Sequence, residues 1–378
     1  MSDQQARPYI GGQAVIEGVM MRSPRSLSIV VRRRSGKLVV RERAVVDVRK
    51  GVLAWPFVRG VVTLFEAIKL GVEALRFSAD LYEQDLEEEE KAKKEAEKAK
   101  PGVLSALAIS VAAIATQGPE PRLPVREVGA SDEKKDGGRG LMGVVSIALA
   151  LGLFVALPQV FAALANRFGN FELDVRSPGF QALTGAFKLV IVVGYLLLIR
   201  RVPEIRRVFQ YHGAEHKTIS TWEAGEELVV ENARKKTTMH PRCGTTFIVM
   251  VALVSIFVFS AIGPLLPRLG VGGVAENVLF FLLKLPFLPL LAAVSFEIQR
   301  FFARFCTTGP LRVLLYPGFL VQKITTIEPD DDQLEVALAS LRATLWREHA
   351  EGDVPAKVED LTFDDFDAFA RHPGYGVA

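Results

Sequence analysis

The sequence predicts a mainly α, polytopic membrane helix bundle of about four spans, with a small N-terminal α+β cytoplasmic unit. Three observations predict it. Charged and apolar residues occupy separate blocks instead of interleaving turn by turn, although 49% of the chain is hydrophobic and 24% is charged. Lys and Arg gather in one loop between apolar blocks. Near the N-terminus, apolar residues alternate with the period of a strand.

Four blocks are long enough to cross about 30 Å of hydrocarbon as helices. Leu141–Ala165 carries no charged side chain, Phe180–Ile199 carries only Lys188, Thr245–Leu266 none and Val278–Phe296 only Lys284. Such spans are rare as buried core helices of water-soluble proteins. Pro158, Pro264, Pro286 and Pro289 are tolerated in a bundle where neighbouring helices satisfy the freed carbonyls. The segment Arg200–Gly244 holds nine basic residues, whereas Pro267–Asn277 holds only Arg268. By the positive-inside rule the former is cytoplasmic, and an even number of spans puts both termini there in a multi-pass cell-membrane protein. Topology accounts for the basic clusters, so lipid is the expected partner and no nucleic acid is expected. Met1–Arg7 has no apolar h-region, so no secretory signal is read there. Cys243 and Cys306 fall on the cytoplasmic side, where a structural disulfide is not expected.

Five segments follow. Residues 1–50 hold a hairpin over Leu27–Val48, turning at Ser35-Gly36. Residues 51–117 hold an amphipathic helix over Val52–Ala79, a charged spacer over Leu81–Lys100 and a short apolar stretch, Val103–Ala115, read as interfacial or re-entrant. Residues 118–140 read as a flexible loop. Residues 141–310 are the bundle, with a polar loop at 200–245. Residues 311–378 form a C-terminal cytoplasmic segment, in which Leu334, Ala337, Leu338, Leu341 and Leu345 define one face of a helix.

The chemistry concentrates in the polar loop. Three of the five histidines and one of the two cysteines lie there, as His212-Gly-Ala-Glu215-His216 and His240-Pro-Arg-Cys243. His212 and His216 are one helical turn apart and share a face. Imidazole and thiolate are the usual tetrahedral zinc donors. The first arm also spells His-x-x-Glu-His, in which two histidines hold a metal and the glutamate activates water. If His212, His216, His240 and Cys243 all bind, the site is closed and structural. If three bind and water takes the fourth place, it is catalytic, with Glu215 as base. Without metal, the histidines hydrogen-bond backbone or headgroups, or one of them pairs with Cys243 as a nucleophile. A second catalytic candidate is Glu17, alone in the nearly uncharged run Gly11–Met21. It reads as a ligand, a base or an ion-pair partner for Arg22 or Arg59. Glu297, at the end of the fourth block, is expected to pair with Arg300.

Three longer runs carry a resemblance. They are Gly11–Arg22 (GGQAVIEGVMMR), then Tyr211–Thr218 (YHGAEHKT) with His240–Phe247 (HPRCGTTF), and finally Pro317–Thr326 (PGFLVQKITT) followed by Glu328–Ala337. In this order they are similar to the bacterial membrane family of domain of unknown function 1385, over about residues 9–345. The resemblance implies a multi-span protein of the bacterial inner membrane and a metal-dependent one, but no substrate or reaction.

The expectation from residues and resemblance together is a cytoplasm-facing divalent-metal site, zinc by its donors. Its work would be metal-dependent hydrolytic chemistry on a membrane-proximal substrate. The competing expectation is a membrane scaffold or assembly factor with a structural metal clip. Transport ranks third, because only Lys188 and Lys284 are ionisable within the spans.

Overall fold

Alternation at the N-terminus builds more sheet than the single expected hairpin. In the computed structural model, which describes residues 8–45, 51–98, 145, 148–267, 270, 273–306, 309–349 and 360–375, four strands run as an antiparallel meander. They are β1 (Gly11–Val15), β2 (Gly18–Arg22), β3 (Ser26–Arg32) and β4 (Leu38–Ala44). A fifth strand, β5 (Leu361–Phe363), comes from the C-terminal segment and pairs with β4 through Val39 and Thr362. The expected hairpin is β3–β4. The run at 11–22, read only as a motif, is a second hairpin whose two-residue turn is Ile16-Glu17.

The chain divides into two compact units, Glu83–Leu149 and the remainder. Helix α1 (Val58–Lys98) begins in the larger unit and includes most of the charged run, which is therefore helical up to Lys98. Its Leu70, Ala74, Phe77 and Leu81 cover one sheet face, made by Val15, Met20, Leu27, Ile29, Val31 and Val39. Its first turns meet the bundle, since Arg59 forks onto Glu297 at 2.7 and 2.5 Å. Glu297 thus takes Arg59 as its hydrogen-bonded partner, not Arg300 as expected. In the smaller unit, the Lys91–Glu87 and Lys94–Glu90 pairs at 3.4 and 3.3 Å are exposed and favour the helix only weakly. The expected interfacial stretch at 103–115 and loop at 118–140 lie outside the described residues.

Four helices are long and apolar enough to cross a membrane: Ala148–Phe168, Pro178–Ile199, Gly244–Leu265 and Ala275–Phe305. The first contains one looser turn at Gly152–Ala156 and then α2 (Leu157–Phe168). The second is α3 (Pro178–Ile199), whose first turn is capped by the Ser177 hydroxyl accepting from Phe180 N–H at 3.2 Å. The connection after it carries α4 (Pro203–Ala224) and the short α5 (Val230–Arg234). Next come α6 (Gly244–Ile262), α7 (Gly273–Lys284) and α8 (Leu288–Phe305). Between α7 and α8, the turn at Leu285–Phe287 tightens where Pro286 and Pro289 withhold N–H groups. Within an apolar stretch of 18 residues in each, the protein itself buries only 17, 22, 39 and 33%. Large exposed side chains such as Phe161, Val190, Leu198, Phe257 and Leu282 account for the rest. That much bare apolar surface is foreign to a water-soluble core helix and compatible with a multi-pass membrane protein.

After the bundle, α9 (Tyr316–Thr325) lies against α6, and α10 (Asp331–His349) crosses the second sheet face. Its expected apolar face is buried, and so are Val336, Ala339 and Ala343, because α4 covers its far side. The buried hydroxyls between α10 and β3 do not go unpaired. Ser28 bonds the Ser340 carbonyl at 2.6 Å and the Thr344 hydroxyl at 2.7 Å, seating helix on strand. The last short helix, α11 (Phe366–Ala370), opens with Asp365 accepting from Ala368 N–H at 2.6 Å.

One buried acid sets a pH dependence for this body. Glu42 on β4 faces Arg347 of α10 at 3.5 Å, both almost fully buried. Burial pushes its carboxyl up to about 7, against the opposing pull of the Arg347 charge and a Tyr375 hydrogen bond. A raised carboxyl means that folding favours the protonated form. The contribution is therefore intact below the ordinary range near 4.5 and is lost as pH climbs through 7. Its full size is about 3 kcal/mol. Glu42→Gln should flatten the fall in thermal stability between pH 5 and 8; an unchanged slope in the variant refutes the assignment.

Candidate metal centre

Local sequence explains why α4 presents its side chains as it does. Pro203 sits in the first turn, where a missing N–H costs nothing, and Gly225 ends the helix in the left-handed conformation. Gly213, which weakens the sequence-based helix assignment, is required by packing. A Cβ there would lie 2.1 Å from the Ile327 carbonyl oxygen. With the helix fixed, the His212 and His216 rings stand edge to face, 4.5 Å apart.

Both rings are oriented by backbone carbonyls. His212 Nδ1 is 2.9 Å from the Thr325 oxygen, and His216 Nδ1 is 2.5 Å from the Thr238 oxygen. A carbonyl only accepts, so Nδ1 carries the proton in each ring and Nε2 is left with a lone pair. The Nε2 of His212 lies 3.1 Å from Cys243 Sγ. Cys243 caps α6, accepting from Thr245 N–H at 3.4 Å and meeting its hydroxyl at 3.0 Å. One donor atom from each of His212, His216 and Cys243 lies within 4.8 Å of the others. A tetrahedral zinc site needs donor separations of about 3.3–3.8 Å, which small side-chain rotations would reach from here.

His240 stands beside this trio and outside it. Its ring centre is 5.7 Å from that of His216, but its Nε2 meets Glu223 at 3.2 Å and its Nδ1 accepts from Arg242 N–H at 3.4 Å. Glu215 is 6% exposed. It lies against β1 so closely that a Cβ at Gly12 would sit 2.8 Å from its carboxylate. Burial raises its carboxyl, the charges of His212 and His240 oppose that, and among the described residues nothing donates it a hydrogen bond. Burial likewise lowers His216 and His240, leaving the imidazoles in the neutral form that binds metals.

Glu17 is an ion-pair residue, with a partner that sequence reasoning did not name. It occupies the β1–β2 turn at φ +52°. Its two oxygens accept from the Arg207 fork at 2.5 Å each, and one accepts from the Tyr211 hydroxyl at 3.3 Å. The expected partners are engaged elsewhere, Arg22 with Glu66 at 2.7 Å and Arg59 with Glu297.

Three polar residues of the site escape a reading by donor type. Gln322 of α9 is fully buried. It accepts from His240 N–H at 2.8 Å and donates to the His240 carbonyl at 2.8 Å and the Thr246 hydroxyl at 2.7 Å. Gln299 of α8 donates to the Cys243 carbonyl at 3.0 Å. Glu223 takes His240 and Arg242. The one available signal for Gln322 and Thr325 was their place inside the third motif run. Gln322→Leu leaves the buried His240 N–H unpaired, at roughly 1–3 kcal/mol, and takes from its carbonyl the shorter of two hydrogen bonds, the other coming from Cys243 N–H at 3.4 Å. A clear drop in thermal stability is expected, and a melting temperature within a degree of wild type refutes the clamp.

No solved structure matches the chain. It is 30% identical to the uncharacterised protein YqhQ of Bacillus subtilis over 352 residues, covering 91% of this chain and 95% of that protein. A family model described as a protein of unknown function (DUF1385) matches residues 55–347. The chain therefore belongs to the DUF1385 family of proteins of unknown function.

Proposed function

We propose that this chain is a multi-pass membrane protein that holds a divalent metal, zinc by the chemistry of the donors, on His212, His216 and Cys243 at the cytoplasmic membrane surface. The observation that carries the reading is the pair of Nδ1–H···O=C bonds, which leave each Nε2 with a lone pair while one donor atom from each of His212, His216 and Cys243 lies within 4.8 Å of the others. Metal-binding histidines are oriented in this way by their outer partners. The side assignment has support from packing. The sheet at residues 11–44, the connection holding α4 and α5, and α10 form one body, so they share a side of any membrane the bundle crosses. The Lys and Arg excess makes that side cytoplasmic.

Three protein ligands leave a fourth position for water, which suits hydrolysis of a membrane-proximal substrate. A bound metal supplies a Lewis acid and lowers the pKa of its water. Glu215 is the candidate base, because it lies one residue from His216, is buried, and has an unspent carboxylate. A second reading is favoured by one observation. The His240 ring is close enough to replace that water if it leaves Glu223, which would close the site as a structural clip in a scaffold or assembly factor.

Two measurements test and separate these readings. Elemental analysis of the purified protein should find about one zinc per chain, falling at least tenfold in His212→Ala and Cys243→Ser. A folded wild type that carries no metal and takes up none from zinc-containing buffer ends both readings. Glu215→Gln should retain metal and lose function in a deletion strain if the centre is catalytic; full function with metal retained selects the clip.

A further inference from the structure

A second polar feature lies inside the bundle, apart from the His/Cys centre. A cavity of about 390 Å³ opens between α2, α3, α6 and α8. Phe154, Val155, Val192, Val251, Leu288 and Leu291 make most of its wall. Lys188 and Lys284, both in segments long and apolar enough to cross a membrane, also line it, and among the described residues no acidic one does. Among the described residues each amine has one neutral hydrogen-bond acceptor. Lys188 Nζ donates to Ser255 Oγ at 2.9 Å, and Lys284 Nζ to Gln159 Oε1 at 3.0 Å. Gln159 is held in turn through Nε2 to the Asn277 carbonyl at 2.6 Å. Lys284, only 3% exposed, also lies 4.6 and 5.2 Å from the Phe280 and Phe259 ring centres, contacts that favour a cation.

An ammonium offers three donors, so neither lysine is satisfied by one neutral acceptor. Two cations at this depth call for an anion, because ionisable groups within spans face partners or ligands. None of the described wall residues supplies one. The rest of the wall is apolar and suits a hydrocarbon tail. The volume sits at the low end of ligand pockets, roughly 300–1,000 Å³, which fits one acyl chain better than two. We propose that this cavity binds a single-chain anionic amphiphile, its carboxylate or phosphate head between Lys188 and Lys284 and its tail along α3, α6 and α8.

The full chain in phosphatidylcholine nanodiscs can be photolabelled with diazirine-tailed palmitate, lysophosphatidate and, as the uncharged control, hexadecanol. An anionic probe should label α3, α6 or α8 peptides in a manner competed by its unlabelled form. Hexadecanol should label about tenfold less, and Lys188→Met/Lys284→Met should lower anionic labelling by a similar factor, each a tenfold change in affinity. Which anionic probe labels identifies the head. Val251→Trp keeps both lysines and fills the cavity, so it should also abolish labelling, and it decides the matter if the double variant fails to fold. Equal labelling by hexadecanol, labelling that survives either folded variant, or no labelling above a membrane-protein control overturns the proposal. Zinc content should not change in any of these variants, which keeps this test independent of the metal centre.

Discussion

The close approach of α4 to the strand-like segment after α9 is the contact on which the candidate centre depends. Gly213 lies against the Ile327 carbonyl with no room for a methyl group, and Ile327 N–H donates to the Phe209 carbonyl at 3.0 Å. That pairing fixes the chain just upstream, so the Thr325 carbonyl reaches His212 Nδ1 and sets its tautomer. Just downstream, Glu328 reaches the buried Lys217 ammonium, which also donates to the Arg234 carbonyl. One backbone contact thus orients a ring, places a cation and ties the third motif run to the second. A side chain at position 213 would move all three.

The same constraint explains why distant segments are needed together. β1 supplies Gly12 under Glu215; α9 supplies Gln322, which grips the His240 backbone; α8 supplies Gln299 to Cys243. None of these residues has a donor suited to hold a metal, and none draws notice beside histidine and cysteine. The two glutamines each satisfy a buried backbone group that would be costly if left alone, and Gly12 leaves room for the Glu215 carboxylate. The polar centre and the apolar bundle meet at Cys243, which ends the loop and begins α6.

The N-terminal sheet shows where local reading fails. β3 and β4 were legible because Leu27, Ile29 and Val31 alternate cleanly and Ser35-Gly36 marks the turn. β1 and β2 were not, since the glycines of the 11–22 run conceal the period and Glu17 occupies a turn position at positive φ, a conformation few side chains adopt. β5 is three residues long and pairs more than 300 positions away, so its hydrogen bonds leave no local pattern. The ion pairs fail for a related reason. Arg22 and Arg59 are nearer Glu17 in sequence than Arg207 is, but the fold brings Arg207 to it, one helical turn from Tyr211, which shares the load.

By itself the sequence determined the four apolar helices, the hairpin at β3–β4, the helical faces of α4 and α10, and a His/Cys group, His212, His216 and Cys243, that could hold a metal. Those features repeat over a few residues or a single span, and hydrophobic periodicity and donor type are local properties of the chain. Only the tertiary structure decided that His240 turns to Glu223, that Glu17 answers Arg207, and that Glu215 is buried against Gly12. It also decided that Lys188 and Lys284, far apart in sequence, share one cavity. Each of those outcomes depends on which segments pack together, and packing is settled by burial and hydrogen bonding across the whole fold.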